Sequence, residues 1–160
     1  MRVEVESFEP ETDAVRVRTS VGSFSAIWRG DEPPAAGQVS EVEFSTDPTA
    51  EWGSDVTPAA PDEPDSISED EKGWTFVGTV LGIDPDGASP YYVKDGRVLP
   101  PHDLEDGVFY LEIDDADTLM FATDRLDPDA AGRRVRVRQA KVELYPYDTG
   151  GYTVETKIRA

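Results

Sequence analysis

Apolar and polar residues alternate with a period of two over most of this chain, which is the pattern of strands with one face buried. Val3 and Val5 alternate with Glu4 and Glu6, and Val15 and Val17 alternate with Arg16 and Arg18. Between them Pro10, Thr12 and Asp13 supply turn chemistry. Pairing Val5 with Val17 sets Glu4 beside Arg18 and Glu6 beside Arg16, so one face is aliphatic and the other ion-paired. A third strand is predicted over 23–29 and a fourth over 39–45, after the Pro33 to Gly37 turn. Beyond residue 73 the grammar returns. Strands are predicted over 74–83, with Gly78 and Gly82 marking bulges or bends, and over 91–93 and 97–99 around Asp95-Gly96. Others follow over 108–113, 118–123, 133–144 and 152–158. The valines change parity between Val137 and Val142, which predicts a bulge near Gln139-Ala140. No stretch predicts a helix of more than one turn.

Residues 48–72 break the pattern. Four prolines, eight acids and one base stand there with no period of 2 or 3.6, the composition of an extended, self-repelling linker. The alternative is a long loop over one domain, pinned by Trp52 and Ile67. The expected organisation is therefore a small β domain at 1–47, an acidic proline-rich linker at 48–73, and a second β domain at 74–160. Pro34-Ala35-Ala36-Gly37 leads into Val39 and Val42, and Pro128-Asp129-Ala130-Ala131-Gly132 leads into Val135 and Val137. This repeated proline-to-glycine turn, late in each half, points to a duplication.

The predicted fold class is all-β: two small antiparallel barrel-like halves joined by the linker. The order of strands and turns resembles small barrels of the OB or SH3-like kind, with the better match from Trp74 on. Gly22, Phe24, Ala26, Trp28, Gly30, Pro34, Gly37, Val42 and Glu43 also resemble a pattern in uncharacterised bacterial proteins. That resemblance implies a fold and no activity.

Charge decides which partners fit. With 34 acids against 15 bases the chain carries a net charge of −19, a field that repels phosphate backbones and attracts basic proteins. The same excess also suits salt adaptation or genome bias. No cysteine is present, which removes disulfides, thiolate metal sites and thiol nucleophiles. No run reaches the roughly 18 apolar residues of a membrane span, and the chain reads as cytoplasmic.

Candidate chemistry is sparse. The single histidine, His102, lies in Pro101-His102-Asp103 with no serine in a nucleophile elbow. Asp84-Pro85-Asp86-Gly87 begins like a calcium loop but has Ala88 at its fifth position and Asp95 at its twelfth. No glycine-rich phosphate loop occurs. These absences predict a protein that is not an enzyme and takes neither cofactor nor metal. An enzyme with a divalent ion on Asp114, Asp115 and Asp117 is the minority reading.

The leading expectation is a protein-interaction module, such as an acidic inhibitor, an immunity-like protein or an accessory subunit, binding a basic protein. Its candidate contacts are Trp52, Asp62, Glu63, Asp65, Tyr91, Tyr92, Asp114, Asp115, Asp117 and Tyr147, aromatics beside acids. The alternative is a tandem-barrel protein that grips single-stranded nucleic acid through Arg134, Arg136 and Arg138 on one strand face, with Lys141 nearby. Against it stands the structural alternative, in which those arginines would pair with acids on neighbouring strands.

Overall fold

A computed structural model describes residues 1–84, 93–94, 97–98, 107–115, 117–124, 127 and 129–147. Among these residues there are thirteen strands and no helix. Strands β1 (Arg2–Glu9), β2 (Ala14–Thr19), β3 (Gly22–Trp28) and β4 (Val39–Asp47) form an antiparallel run. It closes into a barrel through β13 (Lys141–Pro146), in the order β1-β2-β3-β13-β4. The expected register holds: Val5 faces Val17 and Glu4 faces Arg18, with Arg18 Nη2 2.9 Å from Glu4 Oε2. Glu6 falls in a bulge, yet its carboxylate still lies 3.6 Å from Arg16 Nε.

The second sheet runs β11-β10-β7-β12-β5. Its members are β5 (Val56–Pro58), β7 (Gly73–Asp84), β10 (Gly107–Ile113), β11 (Asp117–Thr123) and β12 (Arg134–Gln139), and β6 (Ser66–Asp70) pairs with β7 beside them. A separate two-stranded ribbon joins β8 (Val93–Lys94) to β9 (Arg97–Val98), as the sequence around 95–96 predicts. The strand expected at 152–158 lies outside the described residues.

The two sheets repeat one connectivity, and each takes its last strand from the other half of the chain. In the first, β1 pairs with β2 and β4; in the second, β7 pairs with β10 and β12. Both central strands bulge at the same step: Val5 and Ser7 skip Glu6, and Val80 and Gly82 skip Leu81. The two proline-to-glycine turns occupy equivalent corners. Gly37 and Gly132 both adopt φ 85°, a conformation glycine reaches without a Cβ clash. Their amides donate to Val5 O at 2.8 Å and Val80 O at 2.7 Å respectively. The seams also match. Leu144 runs parallel to Trp28 in the barrel, and Ala50 runs parallel to Thr123 in the second sheet. The segment after β4 thus completes the second sheet, through Ala50 and β5, and the segment after β12 completes the first.

This exchange corrects three expectations. Residues 48–73 are not a free linker: β5 pairs with β12, and β6 pairs with β7. Residues 74–160 are not self-contained, because β13 belongs to the first barrel. The parity change at Gln139-Ala140 is not a bulge but the point where the chain leaves one sheet for the other.

One core joins the sheets. Ring contacts run from Phe24 to Phe44 (5.7 Å between centroids), Phe76 (6.2 Å), Phe121 (5.1 Å), Phe109 (5.4 Å) and Trp52 (5.3 Å). Phe24 and Phe44 come from the barrel, and the rest from the second sheet and its closing segment. Close backbone approach seals the join. A Cβ on Gly22 would collide with the Ile67 carbonyl, and Gly22 adopts φ 146° as β3 begins.

Candidate interaction face

Among the described residues, most of the basic side chains that looked available in the sequence are ion-paired within the fold. On β12 the residues Arg134, Arg136 and Arg138 share one face, as the alternation predicts. The acids of residues 63–70 lie against them. Glu63 holds Arg136 with both carboxylate oxygens, at 3.0 and 3.1 Å from Nε and 2.6 Å from Nη2. Asp65 pairs with Arg134, whose other contacts are Thr79 Oγ1 at 3.1 Å and the Glu63 carbonyl. The Nε of Arg134 is buried with no hydrogen-bond partner. Asp70 lies 3.7 Å from Arg138 Nη2. Lys141 stands in the other sheet, 3.2 Å from Glu143 Oε1. The stripe is therefore ion-paired, by acids just before and at the end of β6, a strand that pairs with β7 and not with β12, so the acids are not on β12's own neighbours as the sequence suggests.

The first barrel treats its outer face in the same way. Arg16 Nη1 lies 2.7 Å from Glu69 Oε1, and that oxygen also accepts the Ser25 amide at 2.8 Å. Hydrogen bonding to Glu4 raises the Arg18 pKa. At the parallel seam Arg29 pairs with Glu143, which raises the arginine and holds the Glu143 carboxyl below its usual range.

The remaining candidates scatter. Trp52 is half-buried, packed edge-on against Phe109, with its amide 3.4 Å from Asp124 Oδ1. Asp62 is exposed, and Tyr147 is half-buried beyond β13. Asp114 and Asp115 are exposed in the β10–β11 turn with φ 61° and 53°, a left-handed geometry that aspartate tolerates. The Asp114 amide donates to Asp65 Oδ2 at 2.8 Å, and Asp117 lies 3.6 Å from the Met1 ammonium. Among the described residues no three metal-ligating side chains gather into a site. Tyr91, Tyr92 and His102 lie outside the described residues. Among the described residues no helix is long and apolar enough to cross a membrane.

One surface is different in kind. On β10 the outward residues are Val108, Tyr110 and Glu112; on β11 they are Thr118, Met120 and Ala122. Met120 faces Tyr110 across the ladder. Leu81, thrown out by the bulge in β7, lies beside the Gly82–Tyr110 pair. Leu81 is 47% exposed and Met120 49% exposed, two of the three large hydrophobics left this open among the described residues. At the positions of the barrel equivalent to Leu81 and Met120 stand Glu6 and Ser25, both tied by polar contacts. The sequence reading missed Leu81 and Met120. The available signal was Met120 at an outward step of a strand otherwise alternating inward at Leu119 and Phe121.

No family model, no curated protein and no solved structure matches this chain.

Proposed function

We propose that this protein is a non-catalytic interaction module that binds a basic protein partner, docking it on the outer face of β7, β10 and β11. The observation that carries the reading is the pair Leu81 and Met120, about half exposed on a face with one charge, Glu112, among its six outward β10 and β11 residues. The chain as a whole carries a net charge of −19. Interface cores are depleted in charge and enriched in methionine and aromatics, while a charged surround steers the approach. Asp114, Asp115 and Asp124 stand exposed at the ends of the same strands and supply that surround.

The finer fold reading supports a binding role. We read the barrel as OB-like, from its five strands and its β3–β13 parallel seam. Modules of that kind carry ligands on their second and third strands, and β10 and β11 hold that place in the repeated connectivity. Nucleic acid is the weaker ligand, since each arginine of the β12 stripe has a carboxylate within ion-pair reach.

The test is affinity capture from the native host at low and high salt, using the wild type and a Leu81→Asp/Met120→Asp variant. The expected result is a basic protein that the wild type retains, that salt weakens and that the double variant loses. Capture of the same proteins by both would sink the assignment of this face.

A further inference from the structure

Resting on the docking reading above, we infer that the partner adds an extended, basic segment as a strand along the edge of β11, at Thr118 and Met120. The ladder geometry fixes which backbone groups are available. Along an antiparallel strand, alternate residues turn both N–H and C=O toward the same neighbour. The Ala122 carbonyl accepts the Ala50 amide at 2.8 Å, and the Asp124 amide donates to the Ala50 carbonyl at 3.4 Å. Residues 122 and 124 therefore point away from β10, and so do Thr118 and Met120. Strand β11 ends its sheet. Among the described residues Ala50 bridges it only at Thr123, and nothing bonds the outward amides and carbonyls of Thr118 and Met120.

The first barrel shows how such an edge is filled. The residue equivalent to Met120 is Ser25, since Arg16 faces Ser25 as Tyr110 faces Met120. The Ser25 amide donates to Glu69 at 2.8 Å, and its carbonyl accepts the Trp74 indole N–H at 2.7 Å. Just before it, the Ile67 amide donates to Val21 O at 3.3 Å. An acidic strand of the chain thus covers the edge of β3, while among the described residues nothing covers the matching edge of β11 beside the exposed Met120. Unpaired strand edges template pairing with another chain, and main-chain bonds then give affinity while alternate side chains select the partner. Net charge selects a basic segment, and Met120 selects an apolar residue within it.

The probe is a synthetic peptide of alternating lysine and valine, together with the same peptide N-methylated on every second residue. Amide hydrogen exchange of the full chain is followed by NMR, with the Leu81 and Met120 methyl resonances as a second readout. The expected result is slowing of exchange at the Thr118 and Met120 amides by at least about tenfold, which the methylated peptide does not reproduce. Methyl shifts without amide slowing, or equal slowing by both peptides, would overturn the added strand and leave the docking face standing. Absence of any methyl shift with either peptide would overturn the strand and the basic-partner reading together.

Discussion

Phe76 sits at the centre of the ring contacts, and its removal tests whether the two sheets are one cooperative body. Its side chain is fully buried, with Phe44 of the barrel on one side and Phe121 of the second sheet on the other. Both contacts are edge-on, at 73° and 70°, the geometry that adds about 0.5–1.5 kcal/mol per pair beyond burial. Truncation to alanine loses transfer energy and those contacts and leaves a cavity, a total of about 3–5 kcal/mol. For a chain of this size that corresponds to a fall in Tm of roughly 6–20 °C. The assay is thermal unfolding followed by fluorescence, with Trp28 in the barrel or Trp52 beside the second sheet kept as the sole tryptophan. Phe76→Ala is expected to lower both midpoints together. If the Trp52 midpoint falls while that of Trp28 stays, the sheets unfold separately and the single-core account is refuted.

The exchanged strands predict that ending the chain after Gln139 unfolds the first barrel, because β13 supplies Val142 and Leu144 to its core; loss of the Trp28 near-UV signal checks this, and its retention would refute the strand's role. The Glu63→Gln/Asp65→Asn variant frees the β12 arginines at a cost of a few kcal/mol at most, since Glu63 is partly exposed while Asp65 pairs with a guanidinium that has a buried nitrogen. With Arg134 and Arg136 freed and Arg138 still beside Asp70, it is expected to gain salt-sensitive retention of single-stranded oligonucleotide; no gain would show that pairing is not what silences those two arginines. At the seam, the Arg29 hydrogen bond depresses the Glu143 pKa, so its contribution to stability is complete above the usual carboxylate range and is lost as pH falls through the lowered value. Glu143→Gln is therefore expected to flatten the acid limb of a denaturation-versus-pH curve and to lower stability near neutrality; an unchanged acid limb would refute the assignment.

How far the sequence could be read depended on whether a feature was local. The β1–β2 pairing followed from a short turn and two alternating runs, which allow few registers, and Val5–Val17 with Glu4–Arg18 is the result. The repeated corner at Gly37 and Gly132 was legible because a turn needs its residues wherever the strands lead. The acids of residues 63–70 were misread as a linker because their partners, Arg134, Arg136, Arg138 and Arg16, lie far away along the chain. Composition counts their charge but not its neutralisation. Leu81 and Met120 escaped for a related reason: alternation predicts which face a residue takes, not whether another element covers that face.

The sequence by itself therefore determined the all-β class, the turns, and the aliphatic and charged faces of the strands outside residues 48–73, all set by short-range sterics and solvation. The tertiary structure alone decided which strand completes which sheet. A β-strand carries the same unpaired backbone groups toward any partner, so the alternating pattern of Lys141–Pro146 specifies a half-buried strand without naming its neighbours. That choice came from the core that both sheets share, where Phe44, Phe76 and Phe121 meet only once the last strands have crossed over.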